Sequence, residues 1–145
     1  MNINKAGLDL IKKFEGCRLT AYKCPAGVWT IGYGHTGPDV KHGKSITEQE
    51  AENLLRGDLD NFEAGVTKAI VSAATTPNQF AAMVSLAYNI GLGGFNKSTV
   101  LRKHKEGAYK SASAAFMMWV KGGGRELPGL VRRRAAERSL YQTEG

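Results

Sequence analysis

The sequence predicts an α+β fold: a small β-sheet lobe near the start, a larger helical lobe after it, a long helix joining the two and a cleft between them. Three observations predict it. Strand formers and turn residues are concentrated between Arg18 and Gly34. Apolar residues recur at helical spacing almost everywhere else. Two capping boxes, each opened by a Thr, mark helix starts downstream of the strands. A chain of 145 residues is read as one domain over 1–145, with the sheet lobe at about 15–46 and the helical lobe at about 70–145 plus the N-terminal helix.

Taken in order, Leu8, Leu10, Ile11 and Phe14 make one apolar face of a short helix over Lys5–Phe14, with Asn4 as its cap. Leu19, Tyr22, Val28, Trp29, Ile31 and Tyr33 suit strands on either side of the turn Pro25-Ala26-Gly27, a hairpin with a third strand before Ser45. Thr47 and Glu50 form the first capping box, and Ala51, Leu54, Leu55, Leu59, Phe62, Val66 and Ile70 continue it as a long helix. Thr76 and Gln79 form the second, with Pro77 at the first helical position and Gly91 as the stop. Shorter helices are expected over Ser98–Lys105 and Lys110–Val120. After Gly122-Gly123-Gly124 and Pro128, a last helix is expected from about Leu130 to Tyr141.

Composition narrows the function classes. Apolar residues make up 42% and charged residues 23%, ordinary for a protein that folds around one core without staples. Twenty Lys and Arg against 13 Asp and Glu leave a net charge of +7, which predicts attraction to a polyanion. Nucleic acid, acidic lipid and cell-wall polymer all satisfy it. No segment approaches the ~18 apolar residues of a membrane span, so no stable membrane insertion is expected. Met1–Phe14 lacks the apolar block and cleavage site of an export signal. Cys17 and Cys24 are expected as free thiols, a disulfide across the same turn being the alternative. The three His and two Cys show no metal-ligand spacing, and neither metal nor cofactor is expected.

Glu15 closes the first apolar stripe beside Phe14. A carboxyl shielded from water has its charged form disfavoured, which keeps a proton available for general acid chemistry near neutral pH. The glycine punctuation of Thr30-Ile31-Gly32-Tyr33-Gly34-His35 suggests backbone lying close to another element or a ligand.

These residues carry a resemblance. Glu15-Gly16-Cys17-Arg18-Leu19-Thr20-Ala21-Tyr22, then Gly27-Val28-Trp29-Thr30-Ile31-Gly32-Tyr33-Gly34-His35, resembles the signature of the phage lysozymes in family 24 of the glycoside hydrolases. That family places a Glu, an Asp or Cys nine positions later and a Thr six beyond, matched here by Glu15, Cys24 and Thr30. Gln79-Phe80, Ala87-Tyr88-Asn89-Ile90-Gly91 and Ser98-Thr99-Val100-Leu101 resemble the central helix and its sequel. Trp119 and Gly129 to Arg138 resemble the C-terminal helix.

The resemblance implies a lysozyme-like fold. It also implies hydrolysis of the β-1,4 bond between N-acetylmuramic acid and N-acetylglucosamine in peptidoglycan, for host lysis and phage release. Glu15 would be the general acid, and Thr30 would hold a water or the substrate. Cys24 stands where the commoner pattern has Asp, and would act as a thiolate or as a polar group positioning water. Tyr22, His35, Asn89 and Arg133 are the expected substrate contacts. Alternatives stand beside these: stacking on sugar rings for Tyr22, Trp29 and Tyr33 with core packing for Trp29, a structural or basic role for His35, helix-end capping for Asn89, and only one of Arg132, Arg133 and Arg134 turned inward. A monomer is expected, made in the host cytoplasm and reaching the periplasm and cell wall through a hole made by a phage holin. Two other functions compete. A lytic transglycosylase would cut the same bond without adding water, and the missing second carboxylate keeps it in view. A nucleic-acid binder would use the arginine-rich last helix, but no nucleic-acid motif is present and that reading gives Glu15 no role, so no nucleic-acid partner is expected.

Overall fold

A computed structural model describes residues 1–144. The chain divides into two compact units, one of Ile11–Asn61 and one of Met1–Leu10 with the chain from Phe62 onward. Helices α1 (Lys5–Glu15) and α2 (Glu48–Ile70) each begin in one unit and end in the other.

In the first unit, Gly16 stops α1 in the left-handed region at φ 72°, its N–H bonding to Lys12 O at 3.0 Å. Three antiparallel strands follow in the order β1 (Arg18–Lys23), β2 (Trp29–Gly32), β3 (His35–Thr36). Tyr22 faces Thr30 and Lys23 faces Trp29 across β1–β2, while Thr30 faces Thr36 and Ile31 faces His35 across β2–β3. The turn at Pro25-Ala26-Gly27 is closed by Cys24 N–H to Val28 O at 3.0 Å and Gly27 N–H to Cys24 O at 2.8 Å. The third strand lies before Ser45 as expected, and Ser45 itself bridges back to Thr20 of β1. Ile31, Val40, Ile46 and Ala51 form the buried core here, with Trp29, Tyr33, Ala21 and Leu54 packed around it. The Thr47–Glu50 capping box that starts α2 is formed in both directions at 3.1 Å.

The other unit is built on α3 (Pro77–Ile90), whose residues 79–87 are all buried. A helix apolar on every side belongs at the centre of a bundle. Its capping box is complete, with Gln79 N–H to Thr76 Oγ1 at 3.1 Å and Thr76 N–H to Gln79 Oε1 at 2.9 Å. Against it pack the start of α1, α4 (Leu92–Asn96) and α7 (Pro128–Gln142), while α5 (Thr99–Lys105) and α6 (Tyr109–Ala115) pack on each other. A Cβ on Gly7 of α1 would stand 2.6 Å from Ala81 Cβ, so only glycine permits that approach. Asn4 Oδ1 caps the same helix, accepting the Gly7 N–H at 3.0 Å. Phe80, Phe95 and Phe116 are fully buried, each contributing on the order of 2–3 kcal/mol by leaving water.

Three sequence expectations need correction here. The helix expected to Val120 ends as α-helix at Ala115 and tightens into a 3₁₀ turn over Phe116–Met118. The glycines after it are a two-strand hairpin, β4 (Lys121–Gly122) with β5 (Arg125–Glu126), turned by Gly123 and Gly124 at φ 60° and 84°. The last helix starts at Pro128, which takes the first-turn position where a missing N–H costs nothing. Among the described residues no helix is long and apolar enough to cross a membrane.

Candidate active site

Glu15 is the last residue of α1, half-buried, and Gly16 sends the chain from it into β1. In the same unit the hairpin brings Cys24 and Thr30 together. Thr30 is 5% exposed, and its hydroxyl donates to Val28 O at 3.0 Å. Cys24 is half-buried at the head of the turn, and both Cys24 and the exposed Cys17 are free thiols. The backbone N–H groups of Val28 and then Ala26 hold the Cys24 thiol below its ordinary value, against the effect of burial, and the Thr30 side chain adds to the lowering.

Tyr22 is half-buried, with the Arg18 guanidinium 4.4 Å from its ring centre. Trp29 packs on the core of the unit, and His42 lies 5.3 Å from it. His35 is held between two carboxylates, Nδ1 to Asp58 Oδ2 at 2.8 Å and Nε2 to Asp39 Oδ2 at 3.1 Å. Burial opposes a charged ring there, but Asp58 and then Asp39 outweigh it and raise the His35 pKa. The His35 bond in turn lowers the Asp39 carboxyl.

The glycine punctuation around Tyr33 has a backbone cause. Gly32 and Gly34 take φ 65° and 85° in the turn from β2 to β3, and a Cβ on Gly32 would make ordinary contact with Ala51 at 3.5 Å. Gly32 is buried against Ala51 of α2, so at this glycine the backbone does lie close to another element.

In the helical unit Asn89 is exposed near the end of α3, and its Oδ1 accepts from Arg134 Nη2 at 2.8 Å. Arg133 is buried, with Nε on Glu137 Oε2 at 3.2 Å and Nη2 on Ser85 O at 3.2 Å. The expectation of one inward arginine fails: Arg133 and Arg134 are both buried, and only Arg132 is exposed. Their shared partner, Glu137, lies three and four residues on, so one helical turn presents all three groups to the interior. Burial pushes the Glu137 carboxyl up, against the pull of Arg134 and Arg133. The 2.5 Å bond from Ser85 Oγ is the length expected for a hydroxyl donating to a carboxylate.

Two grooves of the helical unit, of about 580 and 430 Å³, are lined by Tyr109 and Thr143 in one case and by Lys97 and Arg102 in the other. Neither includes a sequence-predicted site residue. Among the described residues no group of three or more His, Cys, Asp or Glu could hold a metal ion. Sequence reasoning missed Asp39, Asp58, Ser85 and Glu137. Helical spacing could have pointed to Glu137 behind the arginines, whereas nothing local points from His35 to Asp58.

A model of the phage lysozyme family matches residues 12–137. The chain is 47% identical to the endolysin of Bacillus phage PZA over 145 residues, covering 99% of this chain and 56% of that protein. It spans about half the length of the Bacillus phage relatives it matches. Among solved structures, the muramidase domain of SpmX from Asticaccaulis excentricus superposes with TM-score 0.91 at 41% identity, covering 99% of each chain. The endolysin from Escherichia coli O157:H7 phage FAHEc1 does so with TM-score 0.90 at 39% identity, over 98% of this chain and 94% of that one. The α+β architecture of sheet lobe and helical lobe is therefore shared with these structures, and the chain belongs to the phage lysozyme family.

Proposed function

We propose that this chain is a muramidase that hydrolyses the β-1,4 bond between N-acetylmuramic acid and N-acetylglucosamine in peptidoglycan, with Glu15 as general acid. The supporting observation is the Glu15–Cys24–Thr30 set within a family member: a half-buried carboxyl ends α1, and the adjoining hairpin joins a lowered thiol to a buried hydroxyl. Glu15 gives its proton to the glycosidic oxygen as the bond to the anomeric carbon breaks, and positive charge develops at that carbon. A thiol shifted toward its thiolate is suited to face that charge, or to take a proton from the entering water. Thr30 orients the water, or the thiol itself, through lone pairs left free by its single donated bond. Tyr22, His35, Asn89 and Arg133 serve binding, directly or by holding other groups in place.

A lytic transglycosylase is the second reading, favoured by the thiol where a second carboxylate would stand. Its products carry anhydro-muramic ends lacking one water, so mass spectra of digested walls separate the two. Glu15→Gln is expected to lose nearly all wall-clearing activity in a turbidity assay while keeping its folded spectrum. Full activity in that variant removes Glu15 as the acid. In the host the enzyme would act on the wall after a phage holin opens the membrane, working as a monomer first in the cytoplasm and then in the periplasm.

A further inference from the structure

We infer that Arg134 fixes the side-chain amide of Asn89 so that it offers only N–H donors outward, making Asn89 a reader of amide carbonyls in the wall polymer and Arg134 its positioning residue. The inference rests on the muramidase reading above. It begins with an asymmetry of exposure: Asn89 is exposed, while the guanidinium 2.8 Å from its Oδ1 belongs to a residue 0% exposed. Arg134 is held in the interior by Glu137, its Nη2 donating to Oε2 at 3.3 Å and its Nε lying 2.8 Å from Oε1. Glu137 is also 0% exposed, and it is held by Ser85 Oγ at 2.5 Å and Arg133 Nε at 3.2 Å. Turning the Asn89 amide would set its NH₂ against a guanidinium N–H, donor facing donor, so the orientation is imposed chemically.

Nδ2 then points its two hydrogens outward, and among the described residues it donates to none. Asn89 is not needed as a helix cap either, since Gly91 N–H closes α3 on Ala87 O at 2.7 Å. A cluster of three buried charges is a poor means of gaining stability, because well-packed apolar residues commonly do as well or better. What it supplies here is one fixed, neutral, donor-only group. Such a group matches a carbonyl oxygen and rejects a donor. Peptidoglycan presents that chemistry from two sources, the N-acetyl groups of its sugars and the peptide bonds of its stems.

The test is Asn89→Asp. It keeps the oxygen that Arg134 holds and the side-chain shape, but replaces the outward donors by an acceptor. Cleavage is followed on peptide-free glycan strands and on strands with stem peptides. Binding of the same strands is measured by titration in Glu15→Gln with and without Asn89→Asp. The expected result is a KM and a dissociation constant raised roughly tenfold or more, with kcat and melting temperature retained. A penalty on both strand types identifies the N-acetyl carbonyl, and one confined to peptide-bearing strands identifies the stem. Wild-type KM and affinity on both would overturn the inference, as would a fall in kcat at unchanged KM. In Arg134→Met, where the amide can turn, KM is expected to rise and Asn89→Asp to add little further. Independent, additive losses would remove Arg134 from the positioning role. Because titration requires no cleavage, failure of the muramidase reading leaves the binding result to be judged alone.

Discussion

Replacing Glu137 by Gln removes the negative charge between two buried guanidiniums while keeping the side chain's size. Glu137 and Arg134 are 0% exposed and Arg133 is 3% exposed, so water cannot take over the lost charge. Breaking a buried ion pair by removing one partner costs about 3–5 kcal/mol. A chain of 145 residues unfolds with an entropy of about 0.3 kcal/mol/K near its midpoint. The melting temperature is therefore expected to fall by roughly 10–16 °C. Circular dichroism melts at fixed pH and salt measure it, with exposed Arg132→Gln on the same helix as a control expected to stay within about 0.5 kcal/mol of the parent. A fall of less than about 3 °C in Glu137→Gln would refute the charge-paired description of this interior. Replacing Glu137, Arg133 and Arg134 together by apolar residues of similar volume is expected to restore the melting temperature. The Asn89 contact to substrate would still be lost.

Two further outcomes follow from the site. Cys24→Asp is expected to keep substantial wall-clearing activity and Cys24→Ala to lose most of it; an alanine variant clearing walls at the parental rate makes the thiol structural only. The half-buried His35 and the buried His104 should tilt the pH profile of stability in opposite directions. His35 is raised by Asp58 and Asp39, so its stabilisation is complete below the unfolded value of about 6.5 and is lost as pH rises through the folded value. His104 is lowered by burial, so the unfolded chain takes the proton first. Stability then declines below pH about 6.5 by about 1.4 kcal/mol per unit until the folded value is reached. Melts between pH 4.5 and 8.5 should lose the alkaline decline in His35→Asn and flatten on the acid side in His104→Asn, and unchanged slopes in either variant would contradict its assignment.

The neutral form of His104 can be read from its partners. Thr75 spends its one hydroxyl proton on Ala73 O at 2.9 Å, so His104 Nε2, 2.8 Å from Thr75 Oγ1, must be the donor. Nδ1 is then the acceptor, and Tyr141 donates to it at 2.6 Å. No residue near His104 in sequence announces this arrangement, which joins positions 37 apart. The same distance effect hid Asp58 from His35, 23 positions away, and Asn89 from Arg134, 45 positions away.

What the chain declares locally is legible without coordinates. Thr47 with Glu50 and Thr76 with Gln79 start helices because a side chain and a backbone donor three residues apart must meet whatever the rest does. Pro25-Ala26-Gly27 turns the hairpin for an equally local reason, and the Glu15–Cys24–Thr30 spacing is a property of the string. Tertiary structure alone decided which arginines are inside and that Asp58 holds His35. These depend on burial and on contacts between distant positions, where the energy of a charge or a donor is set by what the fold removes from water.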